Sequence, residues 1–138
     1  MRRCGGNFAK TMLRLAQECE QLKVINDQCG APTGAELIAD VTAHAIRRAL
    51  QPVADDDELS GIYNLVASGS TTWFAYAQYV IAQSQRLQPG MKIKATEVNP
   101  VPNSAFPAPA QRPRNSRLDI SKLQETFGLR PCKPSKWS

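Results

Sequence analysis

A strand-like run, Lys23-Val24-Ile25, breaks at Asn26 into a polar loop that extends to Gly34, and an amphipathic helical pattern starts directly behind it. A strand that feeds a helix through so short a loop belongs to α/β architecture, where binding groups collect at strand ends. Gly30 is expected to supply a backbone angle that a side chain would resist. Pro32 fixes its own φ and biases Ala31 away from helix, so the loop should be stiff. Thr33 and Glu36 have the spacing of a capping box, in which each side chain satisfies a backbone N–H of the other residue. Asn26, Asp27 and Gln28 are three consecutive polar side chains at a strand end, and they read as turn formers or as ligand contacts.

Elements alternate along the rest of the chain. Phe8, Met12, Leu15, Cys19 and Leu22 recur at helical spacing and predict a helix over 7–22 that leads into a strand at 23–26. Leu37, Ile38, Val41, Ala45 and Ala49 predict a second helix to about Leu50, ended before Pro52. The acidic run Asp55-Asp56-Asp57-Glu58 reads as a solvated loop. Residues 61–67, dense in β-formers and bounded by glycines, predict a buried strand of a mostly parallel sheet. Ser70, Thr71 and Thr72 offer caps for a third helix whose one face carries Trp73, Ala77, Val80, Ile81 and Ser84, with Trp73 read as core rather than as a substrate platform. A weaker strand pattern covers 92–96. Five of the ten prolines then fall between Asn99 and Pro113 and predict a stiff extended crossing without regular structure, pinned by Val98, Val101, Phe106 and Leu118. Asp119 should cap a short helix that runs through Leu123 and Phe127 and stops at Gly128.

Composition narrows the function classes. With 138 residues and 42% apolar content the chain suits one soluble globular domain, and no apolar run approaches the ~18 residues of a membrane span. Met1 to Gly6 carries two arginines without an apolar stretch behind them, so no secretory signal and a cytoplasmic location are expected. Cys4, Cys19, Cys29 and Cys132 lack C-x-x-C spacing and suit reduced thiols better than zinc or disulfides. The net charge of +5 resides entirely in residues 112–138, since residues 1–111 balance ten basic against ten acidic side chains. Without interleaved aromatics this basic segment suits small phosphates better than nucleic acid. No G-x-G-x-x-G or P-loop spacing occurs, and none of Tyr63, Tyr76 and Tyr79 is followed four residues later by lysine. The single histidine, His44, lies inside a predicted helix beside Arg47 and Arg48 and reads as a surface or packing residue.

Residues 7–16 (Asn-Phe-Ala-Lys-Thr-Met-Leu-Arg-Leu-Ala) and 24–36 (Val-Ile-Asn-Asp-Gln-Cys-Gly-Ala-Pro-Thr-Gly-Ala-Glu) are similar to segments of the dTDP-4-dehydrorhamnose reductases. So are Tyr63-Asn64-Leu65-Val66-Ala67-Ser68-Gly69 with Thr72-Trp73, and Arg112-Pro113-Arg114-Asn115-Ser116-Arg117-Leu118. The resemblance is colinear from about Gly6 to Arg130 and covers the C-terminal half of that family. It implies an α/β fold, the C-terminal part of an extended short-chain dehydrogenase of Rossmann type, with few strands and three to four helices. In the family NADPH or NADH passes hydride to the C4 ketone of dTDP-4-dehydro-L-rhamnose, a step of dTDP-rhamnose supply for cell-surface polysaccharides such as O-antigen, and a tyrosine gives the proton.

The resemblance further implies that Asn7, Gln28, Arg112 and Arg117 contact the dTDP-sugar. It also places Glu36 where some members hold Mg²⁺ at a dimer interface, although the partner carboxylates are not in this chain. Residues 1–130 are expected to be the substrate-binding portion and residues 131–138 a divergent tail, with the cofactor domain and its Tyr-x-x-x-Lys pair absent. Unmatched residues at both ends suggest a truncated or frame-shifted product, inactive alone. The alternative is a non-enzymatic module that binds phosphorylated ligands or pairs with an intact reductase subunit through an open sheet edge.

Overall fold

The computed structural model describes residues 7–51, 59–106 and 112–129. These form four α-helices and four short strands arranged as two compact units. The first unit holds the chain up to Cys29 and from Thr72 to Asn115, and the second holds Gly30–Thr71 and the chain from Ser116 onward. Two two-residue strands, β2 (Cys29–Gly30) and β3 (Thr71–Thr72), lie where the chain passes from one unit to the other.

In the first unit, helix α1 (Phe8–Glu18) leads through Cys19 into β1 (Gln21–Ile25), and α3 (Trp73–Leu87) leads back to β4 (Glu97–Val101), which runs parallel to β1. The helix expected to reach Leu22 stops four residues earlier. Residue 22 had matched the helical spacing, but the alternation of exposed and buried positions from Gln21 to Val24 makes this stretch a strand that buries Leu22 and Val24. Met12 and Ala16 of α1, these two strand residues, and Ala77 and Ile81 of α3 form the core. Ala16 and Ala77 are both 0% exposed, so the two helices meet through alanines.

The weak strand expected at 92–96 is instead an extended lead-in. Its N–H groups at Lys94 and Ala95 donate to the Ala16 carbonyl in the last turn of α1, which satisfies that end of the helix, and those of Thr96 and of Glu97, where β4 starts, donate to the Glu20 carbonyl just beyond it. The ladder proper starts at Glu97 and continues through Pro100 to Val101, opposite Gln21 to Ile25. Proline therefore did not forbid regular structure here, because among the described residues β4 has one strand neighbour only, and an edge strand tolerates a missing N–H.

In the second unit, α2 (Ala35–Ala49) and the short α4 (Ser121–Phe127) pack together, with Val41, Ala67 and Leu123 as the buried apolar residues among those described. Residues 61–67 do not form the expected buried strand. They are extended but lack a ladder, and Ile62 is 90% exposed. Side chains fasten this segment instead. The Asn64 amide donates to the Asp119 carbonyl (3.1 Å), the Lys122 ammonium donates to the Ile62 carbonyl (3.3 Å) and lies 4.7 Å from the centre of the Tyr63 ring, and Tyr63 meets Phe127 edge-on. Asp119 is not the cap expected of it: the N-cap of α4 is Ile120, without a side-chain cap bond, and Asp119 stands one residue earlier, its Oδ1 accepting from the Ser121 hydroxyl and N–H. These two bonds, the hydroxyl first, keep its carboxyl below the usual carboxylate range. Gly128 closes the helix with φ 63°, a left-handed position suited to glycine.

Thr33 and Glu36 form no capping box. Helix α2 starts one residue later than that motif requires, with Gly34 as its N-cap and no side-chain cap bond. The Thr33 side chain is engaged elsewhere, since its hydroxyl donates to the Ala31 carbonyl (2.9 Å) and accepts the N–H of buried Ala67 (3.1 Å). Thr33→Val keeps the shape and removes that acceptor. It should destabilise the chain by about 1–2 kcal/mol in urea unfolding, the penalty of an orphaned N–H; an unchanged midpoint would show that the hydroxyl does not anchor the segment. Gly30 also has a different purpose from the expected one. Its φ is not positive, but a Cβ there would stand 2.8 Å from the Ser116 hydroxyl oxygen, so the residue is small because space is short.

Candidate functional site

The three polar residues that follow β1 have divergent fates, all within the first unit. Asn26 extends the ladder by donating its N–H to the Val101 carbonyl (3.0 Å), and its side-chain Oδ1 accepts from the Thr72 hydroxyl (2.9 Å). That hydroxyl in turn accepts the Ala75 N–H as the N-cap of α3. Asp27 accepts the N–H of Asn103 (2.9 Å), the first residue of a 3-10 turn, Asn103–Ala105. Gln28 is 4% exposed, and among the described residues its Nε2 has no hydrogen-bond partner. The N–H of Cys29 then donates to the Arg114 carbonyl (2.8 Å), which brings the Arg112 segment alongside.

Gln28 and Arg112 thereby come to line one cleft of about 420 Å³, together with Phe8, Trp73, Phe106 and β1 residues Lys23, Val24 and Ile25. Phe8 stacks on Tyr76 (ring centres 5.5 Å apart) and meets Trp73 at 4.7 Å, so one wall is a packed aromatic group. Phe106 stands at the rim, 47% exposed. The lining offers apolar and aromatic surface, one buried amide donor and two exposed cations, Lys23 and Arg112. Among the described residues it contains no Asp, Glu, His, Ser, Tyr or Cys. Such a lining recognises a ligand with a planar or apolar part and an anionic part, and the amide and the two cations supply the directed contacts.

Of the residues singled out in the sequence, Gln28 and Arg112 meet in this cleft. Asn7 is the N-cap of α1, with its Oδ1 accepting the Lys10 N–H (2.9 Å), and it is outside the cleft lining. Arg117 belongs to the second unit and is exposed. Phe8, Trp73 and Phe106 were legible as apolar positions, but nothing in their spacing marked them as cleft walls. Trp73 is both things at once, half-buried against the core and open to the cleft.

Glu36 is exposed in the first turn of α2, and among the described residues no three His, Cys, Asp or Glu side chains gather to hold a metal. A hard cation seeks about six oxygen ligands, so the residues present do not fit Mg²⁺. Nor do they fit a dinucleotide. A pyrophosphate turn needs glycine backbone left open to the ligand, whereas Gly30, in the loop that joins β1 to α2, is covered by the Ser116 hydroxyl. Among the described residues no helix is long and apolar enough to cross a membrane.

Comparison with known proteins gives the family. The model of the RmlD substrate binding domain matches residues 2–137. The dTDP-4-dehydrorhamnose reductase of Escherichia coli K12 is 54% identical over 125 residues, which are 91% of this chain and 40% of that protein. The reductase of the same name from Salmonella typhimurium is 56% identical over the same shares. The chain thus spans about 40% of the length of these curated relatives. Among solved structures, the dTDP-4-dehydrorhamnose reductase of Bacillus anthracis in complex with NADP superposes with a TM-score of 0.71 at 29% identity, over 89% of this chain and 38% of that one. The α/β fold with four helices and few strands is therefore part of the Rossmann-type fold of these reductases. On sequence, on fold and on the extent of the match, this chain belongs to the RmlD substrate binding domain family.

Proposed function

We propose that the cleft of the first unit binds the nucleotide-sugar of a dTDP-4-dehydrorhamnose reductase. The observation that carries this reading is Gln28 Nε2, a buried donor without a partner among the described residues, on a side chain that lines the same cleft as Arg112. A buried amide N–H left unpaired is costly, and a ligand acceptor would relieve that cost. Arg112 and Lys23 supply the positive charge that a diphosphate requires, and the aromatic wall supplies cover for a base or sugar face.

In this reading residues 1–130 are the sugar-side portion of the reductase. The group supplied elsewhere, NAD(P)H, would provide the hydride for the C4 ketone. Nothing in the cleft lining can donate that hydride, and no tyrosine in the chain carries the lysine partner that proton donation in this family uses. The 138 residues alone should therefore bind and not turn over. The site of action is the cytoplasm, where nucleotide sugars are made. The edge of β1 away from β4 has no strand partner among the described residues, which favours pairing with further reductase sequence, in the same protein or in a second subunit, over a free-standing phosphate-binding module.

The test is calorimetric titration of the chain with dTDP, beside a turnover assay with NADPH and the keto sugar. Wild-type chain should bind dTDP without turnover, and Arg112→Ala should weaken binding about tenfold, or about 1.4 kcal/mol. Absence of dTDP binding by the folded wild-type chain would overturn the reading, and turnover would overturn the assignment as a binding portion.

A further inference from the structure

We propose that Asp27 is a positioning residue of this cleft, acting through Phe106, and that Phe106 stacks on the planar ring of the bound nucleotide. This inference rests on the nucleotide reading above and concerns which residue meets the base. Asp27 does not line the cleft; it borders a separate depression formed with Asn26 and Pro100 to Pro102. Its carboxylate is directed to the Asn103 N–H at 2.9 Å, at the start of the 3-10 turn. That N–H has no acceptor within so short a turn, so the carboxylate satisfies an orphan donor and ties the turn to the end of β1. The turn is then closed by Ala105 N–H on the Pro102 carbonyl and by Phe106 N–H on the Asn103 carbonyl, both at 3.0 Å. The next ring along is Phe106, set at the cleft rim with about half its surface open.

The division among the three polar residues is consistent with this role. Asn26 fixes the start of α3, which carries Trp73; Asp27 fixes the turn, which carries Phe106; and Gln28 keeps its amide for the ligand. Two of the three residues hold elements that carry aromatic residues of the cleft lining. An exposed aromatic at the rim of a cleft with a cation suits a base joined to a phosphate, and base–aromatic stacking changes affinity by about an order of magnitude.

Four variants, each titrated with dTDP and with inorganic pyrophosphate, test the proposal. Asp27→Ala removes the acceptor. Asn103→Pro removes the N–H and suits the backbone, because Pro102 is already extended (φ −73°, ψ 158°) and the first position of a helical turn accepts proline. Each should weaken dTDP binding about tenfold, as should Phe106→Ala, and the Asp27→Ala/Asn103→Pro double variant should be no weaker than either single one. Asp27→Asn keeps an acceptor oxygen and removes the charge, so dTDP binding should return to within about twofold of wild type. Pyrophosphate has no ring, and its affinity should not fall in any of them. Thermal melts establish that each variant is folded. Wild-type binding of dTDP with an unaffected Asp27→Ala, an Asp27→Asn as weak as Asp27→Ala, or additive losses in the double variant would each overturn the proposal while leaving the nucleotide reading intact. Failure of the wild type to bind dTDP would instead remove the reading beneath it.

Discussion

Leu123→Ala should lower the stability of the chain by about 3 kcal/mol in urea unfolding, within the usual range for a buried leucine reduced to alanine. Leu123 is 4% exposed and is the largest of the buried apolar residues in the second unit, beside Val41 and Ala67. The element that carries it is short. Helix α4 has seven residues, too few to be stable by propensity, so it depends on the face it buries and on its ends, the Asp119 bonds to Ser121 and the left-handed Gly128. The same helix carries Phe127 and Lys122, which hold Tyr63 and the Ile62 carbonyl, so loss of α4 releases the 59–67 segment as well. Ile46→Ala is the control: Ile46 is 54% exposed on α2 and should change stability by about 0.5 kcal/mol or less. Equal losses in both variants would show that Leu123 is not the centre of this unit.

The parts of the fold legible in the sequence are those where a local pattern and the tertiary environment agree. Helices α2 and α3 were readable because their apolar residues keep helical spacing and Thr72 caps the second of them. Segment 61–67 was misread because β-forming residues describe a fit to a half-buried pleated surface, and here the hydrogen bonds come from Asn64, Lys122 and Thr33 side chains, which no local pattern announces. Thr33 misled for a related reason: a capping box and a tertiary anchor use the same hydroxyl, and only the position of Ala67 decides between them. Pro100 misled because its cost depends on whether the strand is at an edge, which is a property of the sheet and not of the residue. At the site, three polar residues in a row were visible at the strand end. That two would be consumed by Thr72 and Asn103, and one left over, depends on contacts 46 and 76 residues away in sequence.

The residue left over permits the sharper prediction, because it separates folding from binding. Gln28→Met replaces the amide with an unbranched apolar side chain of similar length and should raise stability by about 1 kcal/mol, since it removes a buried donor that has no partner. The same change should weaken dTDP binding tenfold or more, because the ligand acceptor that would have met Nε2 is then buried without a donor. The two effects have opposite signs, which a residue kept only for packing cannot produce. Gln28→Glu separates the donor from the shape: it is nearly isosteric, but at neutral pH it places a carboxylate in the cleft lining, where it competes with an anionic ligand for Arg112 and Lys23, so binding of an anionic ligand should fall. Urea unfolding and dTDP titration on the same three proteins decide the matter. A Gln28→Met chain that is less stable than wild type would mean that the amide is already satisfied in the folded protein. One that is more stable yet binds dTDP unchanged would mean that the ligand takes its contacts from Arg112 and the aromatic wall and leaves Gln28 aside.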